Sequence, residues 1–169
     1  MKLSFLIIAL VLITAGCIGQ TIPPEETYSI KKFGIEFVFS NPLENVSRIP
    51  LSDESLVFEK IVLSPSVRIT FEPGSEDNTA FQLAGVEIAS KLSHFYVYGQ
   101  GRFVSVQAVE LPELNRTEGA TVIRMKGPGT GAQGTSVFVD SSGDIIVEGT
   151  SRQNLTLAAD RLALVYLQN

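Results

Sequence analysis

The chain contains a single cysteine, Cys17, among its 169 residues. One cysteine cannot form an intramolecular disulfide, so the hydrophobic core alone must stabilise the fold. Hydrophobic residues make up 44% of the sequence, which is enough apolar material for such a core. The chain also has only one histidine, and structural zinc sites use several thiolate or imidazole ligands. The composition therefore argues against a zinc site.

Cys17 comes directly after a short apolar run. The chain starts with a positive charge at Lys2, residues 3–13 are apolar except for one serine, and Ala15–Gly16 precede the cysteine. A charged start, an apolar core of this length and a small-residue cleavage site are the parts of a secretory signal peptide. The pattern predicts export, with residues 1–16 removed.

The segment that ends at Cys17 resembles the signal peptide and lipobox of prokaryotic lipoproteins, with an archaeal style of mature start. The resemblance implies that Cys17 becomes a lipid-bearing first residue and anchors the protein in the cell membrane. Thr14 departs from the family pattern, which usually has a large aliphatic residue at that place. Two alternatives remain open, an uncleaved anchor helix and secretion without lipid. All three place the body on the extracytoplasmic side of the membrane.

The length and charge of the chain limit its organisation and its partners. After a signal peptide at 1–16 and a tether at 17–26 that contains Pro23–Pro24, about 140 residues remain, the size of one domain. We therefore expect one extracytoplasmic domain at 27–169. The formal net charge is −5, and nucleic-acid binding needs a basic surface. The acidic balance argues against nucleic acid as a partner.

Alternation of apolar and polar residues predicts several strands. Phe33, Ile35, Phe37 and Phe39 alternate with other residues, and a loop or short helix is expected at 43–55. The apolar segments 56–63 and 67–71, separated by Ser64-Pro65-Ser66, predict a hairpin. Further strands are predicted at 103–111, 120–126, 137–139 and 145–147, the last two joined by a turn at 140–144.

Two segments have helical periodicity. The first has apolar residues at three- and four-residue spacing from Phe81 to Phe95, with Glu87 and Lys91 on its exposed side and Gly99 as a stop. The second is the C-terminal helix, capped by Thr150 or Ser151. Strands grouped before helices favour an α+β domain, with an antiparallel sheet and about two helices packed on one face.

A glycine-rich segment follows the strand predicted at 120–126. Residues 129–134 match the spacing G-x-G-x-x-G, but a dinucleotide site requires that this motif open a helix. The residues after it, 135–140, predict a strand instead, so no cofactor is expected. The segment is predicted to be a flexible connection, and loops often bind ligands or partners. Its candidate contact residues are Gly127, Pro128, Gly129, Thr130 and Gly131.

The remaining polar groups do not form a recognisable catalytic or metal site. His94 lies on the polar side of the first helix and is predicted to be solvated, not the base of a triad. Asp140, Ser142 and Asp144 have the early spacing of a calcium loop but lack its later ligands. Paired carboxylates occur at 53–54, at 76–77 and at Glu110 and Glu113, and spacing alone does not make them face each other. No catalytic or metal-binding residue is therefore predicted.

Three N-glycosylation triplets begin at Asn45, Asn115 and Asn154. The first two fall in predicted loops, whereas Asn154 lies at the start of the C-terminal helix, where a capping role competes with modification.

These observations favour a non-catalytic, lipid-anchored domain that binds a protein partner or another component of the cell envelope. The alternatives are a small-ligand-binding lipoprotein of an uptake system and a hydrolase with an unrecognised site. A deep, mostly apolar pocket would favour the small-ligand reading.

Overall fold

The chain is built around a five-stranded mixed β-sheet, as shown by a computed structural model that describes residues 28–72, 78–110 and 119–169. Cys17, the predicted tether and Asn115 lie outside the described residues.

A two-stranded antiparallel hairpin precedes the main sheet. Strand β1 (Tyr28–Lys32) pairs with β2 (Ile35–Phe39), and a short helix, α1 (Leu43–Ser47), follows them. The two residues between the strands have positive φ, 56° at Phe33 and 78° at Gly34, as in a type I′ turn. The prediction that Phe33 lies in a strand is wrong, because it occupies this turn.

The segment predicted as the first arm of a hairpin is a helix. It forms α2 (Glu54–Leu63), which leads into strand β3 (Ser66–Phe71). Val57 and Ile61 are fully buried at a four-residue spacing, whereas Leu63 is 68% exposed. An apolar run of this length is compatible with a strand or a helix, and the burial follows the helical period.

A long helix connects two parallel strands. Helix α3 (Asn78–His94) continues as a π-helical turn (Phe95–Gly99) and is followed by β4 (Ser105–Glu110). Strand β3 pairs with β4 on one side and with β5 (Thr121–Lys126) on the other, both in parallel. Parallel neighbours need a crossover connection, and α3 is that connection between β3 and β4. The predicted helix is confirmed, but its predicted stop at Gly99 is wrong, because the C-cap is Gln100 and the left-handed glycine that follows is Gly101, with a φ of 64°.

The C-terminal part follows the predicted order. Strands β6 (Ser136–Val139) and β7 (Ile145–Glu148) form an antiparallel hairpin, whose turn includes Gly143 at a φ of 81°. Helix α4 (Arg152–Gln168) follows, and the Ser151 hydroxyl accepts a backbone N–H bond at 3.1 Å as its N-cap.

The order of strands in the main sheet is β4-β3-β5-β7-β6. All neighbouring pairs are parallel except β6 with β7. The described residues thus form a mixed α/β architecture with four α-helices and two sheets. The prediction of an antiparallel sheet with about two helices is wrong, because α2 replaces one predicted strand and the crossover through α3 makes β3 and β4 parallel.

The two faces of the main sheet differ in chemistry. One face packs with the helices into a single apolar core, to which α4 contributes most of its length, including the fully buried Leu162. The opposite face has polar and charged side chains between apolar ones. The sheet residues in the core with the helices are Val67, Ile69, Ile123, Met125, Val137, Ile145 and Val147.

Leu162→Ala is expected to lower the free energy of unfolding by about 2–5 kcal/mol, because it removes buried methyl groups and leaves a cavity. The measurement is urea unfolding followed by circular dichroism. Leu63→Ala is the matched control, since that side chain is 68% exposed and its loss should cost less than about 0.5 kcal/mol. Equal stabilities of the two variants would contradict the central position of α4.

Candidate functional site

An apolar groove lies between helix α3 and the edge strand β4. It encloses about 500 Å³ and opens near the C-terminal ends of the parallel strands β3 and β5. Ligands of open α/β sheets commonly bind outside the carboxyl ends of the strands. The described residues that line the groove are Phe71, Phe81, Gln82, Gly85, Val86, Ala89, Ala108, Val109 and Met125.

Small residues on both walls make room for the groove. Gly85 and Ala89 lie four residues apart on α3, and Ala108 lies on β4. A Cβ atom at Gly85 would lie 3.3 Å from the Met125 methyl carbon, so any larger side chain there would press on the groove wall. Phe71 contributes a ring to the lining beside this wall.

One rim of the groove is an exposed apolar patch on α3. Val86 is 67% exposed and Leu83 is 43% exposed. The patch is contiguous with the groove lining through Val86. Exposed apolar surface beside a groove indicates a binding site more often than isolated exposed side chains do.

The other rim is an edge strand with an open side. Strand β4 pairs only with β3, and its outer side makes no backbone hydrogen bond with any residue that the structure describes. The opposite edge strand, β6, is covered at Val137, because the Val137 N–H donates to the Pro50 carbonyl and the Ser52 N–H donates to the Val137 carbonyl, both at 3.0 Å. An open edge strand is a template for pairing with another chain.

The chemistry of the groove suits binding. Gln82 is the one polar side chain among the described residues that line it, and none of those residues is titratable. A groove of this kind buries apolar groups and can orient them through an amide, but it offers no proton donor, base or nucleophile. Sequence reasoning did not identify this site, although Leu83 and Val86 depart from the amphipathic pattern of α3.

The glycine-rich segment is a closed turn beside the groove. The Gly127 N–H donates to Thr130 Oγ1 at 2.8 Å, and the Thr130 N–H donates to the Gly127 carbonyl at 3.1 Å. A Cβ atom at Gly127 would lie 2.7 Å from the Phe81 ring, so this glycine allows the turn to contact a groove residue. Of the candidate contacts, Gly127 therefore lies beside Phe81, whereas Pro128, Gly129, Thr130 and Gly131 follow it in the turn. None of the five is among the described residues that line the groove.

The G-x-G-x-x-G spacing within this segment does not open a helix. The next described element is strand β6, so the helix N-terminus that would bind a pyrophosphate is missing at this place. Gly129 and Gly131 instead have positive φ, 78° and 82°. The conformational freedom of glycine allows these backbone angles in the turn.

His94 is an exposed side chain at the last residue of α3. Its ring centroid lies 6.3 Å from that of Phe37 and 5.9 Å from that of Tyr98. These are aromatic contacts, not the hydrogen bonds of a catalytic base. The prediction of a solvated histidine at the helix end is confirmed.

The candidate calcium segment is an ordinary turn. Asp140 Oδ1 accepts backbone N–H bonds from Ser142 at 2.8 Å and Asp144 at 3.0 Å. The Asp144 carboxylate is bound by Arg124 at 2.6 Å. These carboxylates therefore stabilise the β6–β7 turn and the sheet beside it.

The paired carboxylates are not brought together in the part of the chain that the structure describes. Asp53 precedes α2, and Glu54 Oε2 lies 3.3 Å from Arg161 Nη2. The second pair and Glu113 lie outside the described residues.

The glycosylation triplets occupy different settings. Asn45 is exposed, but it lies in the short helix α1 and not in a loop, which was the other structure expected for this segment. Asn154 is half-buried, and its side-chain nitrogen donates to Thr150 Oγ1 at 3.1 Å. This bond engages the atom to which a glycan would attach, which favours the local capping role of Asn154.

A buried polar network fixes the helix that forms the groove. Lys91 on α3 bonds Glu87 Oε2 and Asp160 Oδ1 on α4, the latter at 3.2 Å. Asp160 Oδ2 also accepts bonds from the Asn41 backbone at 3.1 Å and its side chain at 2.9 Å. Lys91 is 5% exposed and Asp160 is fully buried. The prediction that Lys91 faces solvent is wrong, because Asp160 offers it a partner inside the protein.

Burial raises the pKa of Asp160 above its ordinary value of 3.8, since the carboxylate is less well solvated inside the protein. The Lys91 charge and the hydrogen bonds from Asn41 and Lys91 oppose this effect, and the Glu87 charge adds to it. The folded state therefore binds the Asp160 proton more tightly than the unfolded state does. Its contribution to stability falls as pH rises from 3.8 through the folded pKa.

The described residues contain no group of three or more histidine, cysteine, aspartate or glutamate side chains placed to hold a metal ion. No helix among them is both long and apolar enough to cross a membrane. Comparison of the chain with known protein families, with curated proteins and with solved structures finds no match.

Asp160→Asn is expected to remove the fall in stability that Asp160 causes as pH rises. The wild-type unfolding free energy minus that of the variant should therefore decrease between about pH 4 and pH 7. Guanidinium titrations at several pH values measure this difference. Glu44→Gln, which removes the same charge at an exposed position, is the control and should show little change. A difference that grows with pH would contradict the assignment.

Proposed function

We propose that this protein is a non-catalytic, lipid-anchored module that binds an extended segment of a partner protein along β4. The observation that supports this most directly is the coincidence of an open edge strand and an apolar groove on the same side of the molecule. An extended segment added to a sheet edge gains backbone hydrogen bonds, and its alternate side chains reach neighbouring pockets.

The groove and the edge supply complementary parts of this recognition. Strand β4 offers backbone groups that no described residue pairs with on its outer side, while Val86, Ala89 and Ala108 offer apolar surface to the side chains of the partner. The absence of charge in the described lining favours a partner segment with apolar residues at every second position. A protein segment suits this site better than a polysaccharide of the envelope, because only a polypeptide repeats amide groups at the strand spacing.

The predicted signal peptide and Cys17 support attachment to the membrane. A lipid at Cys17 would place the domain on the extracytoplasmic side, where the partner is an envelope protein. The acidic net charge of −5 favours attachment through the N-terminus over adsorption to anionic lipids.

A second candidate function is the binding of a small apolar ligand. The volume of about 500 Å³ and the predominantly apolar lining with one amide support it, since small-molecule sites have these dimensions. In that case the occupant would fill the groove without pairing with β4.

Cys17→Ser is expected to abolish lipidation and release the protein from membranes, or to leave an unprocessed precursor. Mass spectrometry of the mature N-terminus and fractionation of cells measure the two outcomes. Intact residues 1–17 without lipid in the mature wild-type protein would overturn the lipoprotein assignment.

Val86→Glu and Ala108→Glu, tested separately, are expected to weaken partner binding at least tenfold, because each places a charge in an apolar interface at a cost of about 1.4 kcal/mol or more. The partner is cross-linked to the protein in membranes that contain the wild type or a variant, and the amount of partner recovered with each protein is measured.

Leu63→Glu is the matched control, since Leu63 is as exposed as Val86, 68% against 67%, and lies at the end of α2. It should retain the partner. Loss of binding in all three variants, or in none, would exclude the groove as the site. Loss of a low-mass compound in place of a protein would favour the second candidate function.

A further inference from the structure

The sheet face opposite the helices contains a group of cationic and hydroxyl side chains on two adjacent strands. Arg68 and Thr70 lie on β3, and Arg124 lies on β5 directly beside Thr70 in the register. Their neighbours Ile69 and Ile123 point into the core with the helices, so these three residues share the other face.

Three polar atoms of this group are buried without a hydrogen-bond partner. They are Arg68 Nε, Thr70 Oγ1 and Arg124 Nε. Thr70 is fully buried. Among the described residues only one other buried side-chain polar atom, Tyr166 Oη, has no partner. Since almost all buried polar groups in proteins are hydrogen-bonded, three unsatisfied donors on neighbouring strands indicate a missing acceptor.

The charge of this group is only partly balanced. Arg124 Nη2 bonds Asp144 Oδ2 at 2.6 Å, but Arg68 forms no ion pair in the described part of the chain. Glu148, on the next strand β7, is engaged by the Ser136 hydroxyl at 2.8 Å and the Gln133 N–H at 3.3 Å. A water molecule could accept these hydrogen bonds but would leave the Arg68 charge uncompensated.

We infer that Arg68, Thr70 and Arg124 form a binding site for an oxyanion, a carboxylate or phosphate group. Neighbouring strands lie about 4.8 Å apart and alternate residues on a strand about 6.6 Å apart, so one such group can reach donors from both strands. Guanidinium and hydroxyl donors match the oxygens of both anions, and arginine forms directional bonds with them. This site lies on the opposite face of the sheet from the groove and is independent of the proposed partner binding.

The test uses the full chain in a non-ionic detergent. Thermal unfolding is followed by circular dichroism in phosphate, in acetate and in chloride at equal ionic strength and pH. At an anion concentration ten times the dissociation constant, the midpoint should rise by about 3–6 °C over that in chloride. A shift in phosphate alone identifies a phosphate-bearing ligand, and a shift in acetate as well identifies a carboxylate.

Two variants locate the site. Arg68→Met keeps the apolar stem but removes the charge, and Thr70→Val removes only the hydroxyl; each should abolish at least half of the anion-dependent shift. Lys31→Met, which removes the same charge at an exposed position of β1, should retain the full shift. If Arg68→Met does not fold, Thr70→Val decides the result.

Equal midpoints in all three salts, or equal shifts in wild type and Thr70→Val, would overturn the inference.

Discussion

The buried ion pair between Lys91 and Asp160 is the interaction on which the arrangement of the helices depends. It joins α3 to α4, and the bonds from Asn41 to Asp160 add the segment after β2 to the same point. Charges removed from water stabilise a fold only when their remaining bonding capacity is satisfied, and here Glu87 and Asn41 satisfy it. Because α3 forms one wall of the groove, the width of the binding site depends on this network.

Elements with both a periodic pattern and a boundary signal could be predicted from the sequence. Helix α4 has a serine cap and a clear apolar period, and the β6–β7 hairpin has a glycine in its turn, so both were predicted correctly. The segment at 56–63 has neither an alternating pattern nor a decisive cap, and its helix was mistaken for a strand. Lys91 was assigned to the surface because a local period contains no information about Asp160, which lies 69 residues away.

The candidate site could not be predicted because it depends on the order of the strands. Strand β4 becomes an edge only after β5 pairs with the other side of β3, and no local pattern specifies that choice. The small residues Gly85 and Ala89 were visible in the sequence, but they indicate a groove only once β4 lies beside them. Similarly, Thr70 and Arg124 are 54 positions apart in the sequence and become direct partners through the parallel register.

The contact of Pro50 and Ser52 with Val137 has a consequence for self-association. Among the described residues it leaves β4 as the edge of the main sheet without a backbone partner, so strand addition to this sheet is possible on the β4 side. If two molecules paired through their β4 strands, this edge would be occupied in both, and no further strand could add to it. Fibril growth by edge-to-edge pairing of sheets requires two free edges on every molecule. For the main sheet, association of two copies through β4 would therefore be a single event, because neither copy would retain a second open edge in the described part of that sheet.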